Sequence, residues 1–206
     1  MSEETPGRRL RAALKSERPL QVAGSVNAYC ALLAERAGFR ALYLSGAGVA
    51  NASYGLPDLG FTTRENVLED TGRITAVTTL PLLVDGDTGW GGDTMIRRTV
   101  EELISAGAAG VQFEDQVEAK RCGHRPGKEL VSAEVMCDRL RVAVDGRTDP
   151  EFIIMARTDA FATEGLEATL DRCRQYVAAG AEMIFPEALT ELNQYAIFTA
   201  GVGVPV

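Results

Sequence analysis

Leu80-Pro81-Leu82-Leu83-Val84 opens the stretch that decides the fold. It runs on through a segment with apolar residues at Ile96, Val100, Leu103 and Ile104, stops at Ala106-Gly107-Ala108 and ends in Gly110-Val111-Gln112-Phe113. A short apolar run, a three-and-four apolar spacing, a glycine stop and a second short apolar run spell strand, helix and strand. Two strands joined by a helix of this length must cross over and lie parallel.

Working outward, the same unit recurs. Leu20 to Ala23, Ala41 to Leu44, Phe152 to Ala156 and Glu182 to Phe185 are further runs of strand length. An N-terminal helix is expected over residues 8 to 18. Val135, Met136, Leu140, Ala143 and Val144 mark one later helix, and Leu166, Leu170, Cys173 and Val177 another. Asn27, Asp93, Ser132 and Thr190 are candidate N-caps, Thr62 with Glu65 a candidate capping box, and Gly38, Gly107, Gly180 and Gly201 candidate helix stops. Ala37-Gly38-Phe39, Ala106-Gly107-Ala108 and Ala179-Gly180-Ala181 place glycines 69 and 73 residues apart. Each interval holds two strand-helix units of roughly 35 residues.

Strands alternating with helices mean a parallel sheet, open or closed. No GxGxxG follows the first strand, which disfavours a dinucleotide fold and leaves a TIM-type (β/α)8 barrel. Six strands are readable, and Gly203-Val204-Pro205-Val206 has the character of a seventh. Eight strands usually take about 250 residues. The expectation is a single α/β-barrel domain over residues 1–206, incomplete on its C-terminal side after about the start of strand 7.

Composition narrows the function. A net charge of −8 with no dense basic run argues against nucleic acid or an anionic membrane as partner. No leader-like or membrane-spanning apolar run occurs, so a cytoplasmic protein is expected. The cysteines Cys30, Cys122, Cys137 and Cys173 are far apart, without zinc spacing, and read as reduced thiols.

In such a barrel the chemistry sits at the C-terminal ends of the strands. Those ends carry Ser45-Gly46-Ala47-Gly48, then Asp85 and Asp87, then Glu114-Asp115, then Arg157 and Asp159, then Glu187. Carboxylates without histidine or thiol partners suit a hard ion, Mg²⁺ or Mn²⁺. Arg157 can fork a substrate carboxylate, and backbone N–H groups of Ser45-Gly46-Ala47 can take another. Lys120-Arg121-Cys122-Gly123-His124 hangs off the fourth strand and surrounds a thiol with positive charge, which favours thiolate. The plain alternative is an inert surface cysteine with acidic residues that only cap helices.

Leu83-Val84-Asp85-Gly86-Asp87, Glu114-Asp115-Gln116, Lys120-Arg121-Cys122-Gly123-His124, Met155-Ala156-Arg157-Thr158-Asp159 and Phe185-Pro186-Glu187-Ala188, with Ala41 to Gly46 and Leu56-Pro57-Asp58-Leu59-Gly60, resemble the 2-methylisocitrate lyases. That family lies in the isocitrate lyase and phosphoenolpyruvate mutase superfamily. The resemblance implies a lyase of propionate catabolism, in the 2-methylcitrate cycle, that cleaves 2-methylisocitrate to pyruvate and succinate. It implies Mg²⁺ at Asp85 and Asp87 with Glu114 behind them, and substrate contacts from Ser45, Gly46, Ala47, Asp58, Gly123, Arg157 and Glu187. Tyr43 is implied as the base, Cys122 as the acid, and Lys120 and His124 as groups that tune the thiol. The implied partner is a small di- or tricarboxylate in a homo-oligomer, a tetramer in the family.

Gln112 stands where close relatives often carry histidine, and Ala47 where they carry glycine. The relatives' segments beyond the seventh strand have no counterpart before Val206, from which weak turnover is expected. Isocitrate cleavage, another reaction of the superfamily, a catalytically inactive chain and an unrelated phosphate-binding barrel stay open as alternatives.

Overall fold

The computed structural model describes residues 4–123 and 125–206. The elements alternate along the chain. They are α1 (Pro6–Ser16), β1 (Val22–Gly24), α2 (Ala28–Arg36), β2 (Ala41–Leu44) and α3 (Gly46–Gly48), which runs into a π turn at Val49–Ser53. Then follow α4 (Arg64–Thr75), β3 (Leu82–Asp85), α5 (Asp93–Ser105), β4 (Gly110–Glu114) and α6 (Ala133–Asp145). The chain goes on through β5 (Ile153–Thr158), α7 (Phe161–Glu164), α8 (Leu166–Ala178), β6 (Met183–Pro186) and α9 (Leu192–Val202). All strand pairs are parallel, in the order β1-β2-β3-β4-β5-β6, six strands of an α/β barrel with β1 and β6 at its edges.

Strand alternation sorts the side chains into two cores. Leu42, Leu44, Leu82, Val84, Val111, Phe113, Ile154, Ala156 and Ile184 point outward against the helices. Ala41, Leu83, Ile153, Met155 and Met183 point inward and meet Leu10 and Leu14 of α1. Helix α1 thus packs on the barrel interior, and it lies so close that a Cβ at Gly7 would overlap the Glu151 carbonyl. Further along each strand the inward row turns polar, giving Tyr43, Asp85, Gln112, Glu114 and Arg157. Register places Asp85 opposite Gln112 and Glu114 opposite Arg157.

The element ends refine the expectations. Asn27 and Ser132 cap α2 and α6 through their side chains. The capping box of α4 is Thr63 with Asn66 instead of Thr62 with Glu65. Gly92, not Asp93, caps α5, and Glu191, with Gln194, caps α9 in place of Thr190. Gly201 lies inside α9, whose left-handed stop is Gly203 at φ 73°. Val135 is exposed because its neighbours Met136 and Cys137 face the sheet. Residues 203–206 form no assigned strand, yet the Ile184 N–H donates to the Pro205 carbonyl at 2.9 Å, so this segment lies alongside β6. Beside it an apolar cavity of about 980 Å³, lined among others by Leu20, Val22, Tyr43, Met183, Phe185 and Val204, opens the barrel interior.

Candidate active site

The polar ends of β2 to β6 meet on one rim. Asp85 is the best-braced carboxylate. Its Oδ2 accepts from the Gly46 N–H at 3.1 Å, and its Oδ1 from the Asp87 N–H at 3.2 Å and Gln112 Nε2 at 3.3 Å. One of the backbone donors expected for substrate is therefore engaged by Asp85. A Cβ on Gly46 would lie 3.3 Å from Asp85 Oδ2 and 3.4 Å from Asp87 Oδ1, a tight fit that glycine relieves.

Asp87 takes a left-handed conformation, φ 47°, that turns its side chain into the rim. Burial, then the nearby Asp85 charge, pushes its carboxyl up to about 6 against the pull of Lys120. Burial also raises Glu114, opposed by Arg157 and reinforced by Asp87 and Asp85. Glu114 Oε2 is 3.4 Å from Arg157 Nε, whereas its buried Oε1 has no hydrogen-bond partner. Arg157 is ringed by acids, with Asp159 at 3.0 Å and Glu187 at 3.1 Å. Its own burial opposes the charge, but Glu114, Asp159 and Asp85 outweigh that and keep it firmly protonated.

Asp115, next to Glu114 in sequence, points the other way and is structural. It accepts from Thr158 Oγ1 at 2.7 Å, Tyr176 OH at 2.8 Å and the Asp159 N–H at 2.9 Å. The period of two along β4 thus separates a site carboxylate from a scaffold one.

Cys122 is part-exposed on the loop after β4. The loop lies over the rim: a Cβ on the buried Gly123 would overlap Arg157 Nη2 and sit 2.6 Å from Glu187 Cδ. Lys120 reaches Asp58 Oδ1 at 2.7 Å and Asp87 Oδ1 at 2.8 Å. Burial disfavours its charge, yet Asp87 and Asp85 prevail and hold it protonated. Its ammonium is engaged by these two carboxylates. His124 lies outside the described residues.

Tyr43 donates its hydroxyl proton to Gln112 Oε1 at 2.8 Å. The direction is forced, because the amide's NH₂ end faces Asp85, which only accepts. Burial and Asp85 push the phenol well above its usual value, with Arg157 opposing. In this arrangement Tyr43 is a donor, and an amide cannot take its proton as an imidazole could.

The sequence model of the phosphoenolpyruvate phosphomutase family matches residues 10–206. The chain belongs to that family. It is 62% identical to 2-methylisocitrate lyase of Shewanella oneidensis over 98% of this chain and 70% of that one. Among solved structures of the family's superfamily, 2,3-dimethylmalate lyase superposes with a TM-score of 0.89 at 36% identity, over 95% of this chain and 66% of that one. Phosphonopyruvate hydrolase in complex with oxalate and Mg²⁺ gives 0.85 at 29%, over 98% and 70%. The chain thus spans about two thirds of the length of the proteins it matches.

The rim of this family member fits a hard cation. Six carboxylates, Asp58, Asp85, Asp87, Glu114, Asp159 and Glu187, face three described cations, Lys120, Lys128 and Arg157. The orphaned Glu114 Oε1 is an unused oxygen donor. Among the described residues no three His, Cys, Asp or Glu side chains form a ready metal cage.

Two residues at the site are given no role by the sequence: Gln116, which appears only as the last residue of the Glu114-Asp115-Gln116 motif, and Lys128. Gln116 and Lys128 both grip the Cys122 loop, and neither residue type marks a site by itself.

Proposed function

We propose that the protein is a Mg²⁺-dependent carbon–carbon lyase that cleaves 2-methylisocitrate to pyruvate and succinate. The observation that carries this reading is Gly123 seated without clearance on Arg157 and Glu187, which brings the Cys122 loop over the acidic rim. The identity to a 2-methylisocitrate lyase supports the choice of substrate.

Asp85 and Asp87, with Glu114 behind them, would hold Mg²⁺, which would supply an electrophile for the oxygens of a hydroxy or keto carboxylate. Arg157 offers a fork to a substrate carboxylate, with Glu187 and Asp159 fixing its plane. Ser45 and Ala47, either side of the Gly46 that meets Asp85, are the proposed further substrate contacts, and Asp58 is pinned by Lys120. Tyr43, as phenolate, would take the proton of the substrate hydroxyl; the hydroxyl oxygen becomes the pyruvate carbonyl as the carbon–carbon bond breaks, its electrons pass to the succinate carbon, and the Cys122 thiol protonates that carbon and is left as thiolate. Tyr43 is the proposed base on that hydroxyl. To act as the base it must first lose its own proton, which burial resists and Arg157 favours. Lys120 acts through Asp58 and Asp87, and His124 is the proposed partner of the thiol.

The same reading carries a small di- or tricarboxylate as partner, a cytoplasmic setting suited to four free thiols, and a homo-oligomer. Leu192, Tyr195 and Ile197, exposed on α9, supply apolar surface for association. The substrate is tested by pyruvate release from 2-methylisocitrate and from isocitrate, each with Mg²⁺ and with chelator. Mg²⁺-dependent preference for 2-methylisocitrate is expected; preference for isocitrate overturns the substrate.

A further inference from the structure

The loop that carries Cys122 leaves and rejoins the barrel through a narrow base. Val117 N–H donates to the Glu129 carbonyl at 3.0 Å, Val131 N–H to the Asp115 carbonyl at 2.9 Å, and Gln116 and Leu130 form an antiparallel bridge. Arg139 of α6 braces this base, donating to the carbonyls of Glu114 and Gln116 at 3.1 and 2.8 Å. A base so fixed still leaves the loop's tip free to swing, because backbone hydrogen bonds at a stem say nothing about the far end.

Two side chains rising from the base reach that tip, and they grip the residues on either side of the cysteine. The amide of Gln116 pairs both backbone groups of Arg121: its Oε1 accepts from the Arg121 N–H at 2.9 Å, and its Nε2 donates to the Arg121 carbonyl at 3.0 Å. Lys128 Nζ donates to the Gly123 carbonyl at 2.7 Å and to Asp159 Oδ1 at 2.9 Å. Gln116 is 1% exposed and the Lys128 side chain 4%, so these bonds are shielded from water. The Arg125 N–H closes the turn onto the Cys122 carbonyl at 2.9 Å.

We propose that Gln116 and Lys128 are positioning residues that bracket Cys122 and set where its sulfur points; this rests on the reading of Cys122 as the reacting thiol. Neither touches the reacting atoms. Gln116 is the only-local half of the bracket, a planar amide matched to a peptide unit. Lys128 is the coupled half. Asp159, its second acceptor, also orients Arg157 at 3.0 Å, so Lys128 ties the height of the loop to the residue that receives the substrate carboxylate. Gln116 therefore governs the proton-transfer step, whereas Lys128 governs that step and substrate binding together.

The experiment follows Cys122 by its rate of alkylation with iodoacetamide, resolved by mass spectrometry, with Cys30 on α2 as internal reference, in the full chain and in Gln116→Leu and Lys128→Met. Loss of either grip raises the Cys122 rate about tenfold, the scale of the two neutral hydrogen bonds of Gln116 or the one charge-assisted bond of Lys128 to the loop backbone, and leaves Cys30 unchanged. In the lyase assay Gln116→Leu lowers kcat with KM nearly constant, and Lys128→Met lowers kcat and raises KM. If Gln116→Leu fails to fold, Gln116→Glu, which keeps the acceptor for the Arg121 N–H and loses the donor to its carbonyl, is read in the same way. An unchanged or lower Cys122 alkylation rate in the folded variants overturns the bracket. The alkylation arm needs no turnover, so it separates failure of the bracket from failure of the lyase reading.

Discussion

Lys120 Nζ lies 2.8 Å from Asp87 Oδ1, on the carboxylate that the rim offers to a divalent ion. The same ammonium holds Asp58 on its other side. In the proposed function a bound Mg²⁺ would share this carboxylate with a cation of the loop.

Removing Lys120 leaves Asp85 and Asp87 facing each other with less compensation. In Lys120→Met, the rise in unfolding temperature on adding Mg²⁺ is expected to exceed that of the parent chain, while turnover falls. Asp85→Asn should abolish the Mg²⁺-dependent rise. Differential scanning fluorimetry over a Mg²⁺ titration checks both, and an equal response in all three proteins contradicts a metal at this rim.

Gly123→Ala puts a methyl group where Arg157 and Glu187 already lie. Either the loop lifts or Arg157 and Glu187 are pushed aside, and displacement of a reacting or substrate-positioning group by about 1 Å costs on the order of 10²-fold in rate. Because the loop is peripheral to both cores, the urea midpoint should barely move. Steady-state kinetics beside urea unfolding separates the two effects.

Asp115 is the opposite case. Asp115→Ala orphans Thr158 Oγ1, Tyr176 OH and the Asp159 N–H in the interior. A loss of about 3 kcal/mol or more is expected from three buried donors left without an acceptor. Urea unfolding measures it directly.

The four thiols should differ in reactivity. Burial pushes Cys173 up to about 12 and raises Cys137 as well. At pH 8 both remain thiols shielded from solvent, so iodoacetamide should mark Cys122 and Cys30 and spare Cys137 and Cys173 in the native protein. Peptide mapping before and after denaturation reads this out.

The alternation of strand-length runs with helical spacing made the parallel topology legible, because each strand is apolar on both faces and each helix on one. Helix ends were less legible. Thr62 and Thr63 are equivalent in sequence, and only the observed backbone shows that Thr63 takes the cap. At the site, the strand-end acids could be read, but not that Glu114 faces inward while Asp115 faces out, since that depends on register. The roles of Gln116 and Lys128 were not legible for a different reason: they act on backbone atoms of residues five positions away in a loop whose shape no periodicity encodes.

The most direct test is pyruvate and succinate formation from 2-methylisocitrate with Mg²⁺, in the parent chain and in Cys122→Ser. Equal amounts of the two products from the parent, with a loss on the order of 10²-fold or more in Cys122→Ser and an unaltered unfolding curve, are expected for a thiol that protonates the succinate carbon. Turnover unchanged in Cys122→Ser would contradict that role.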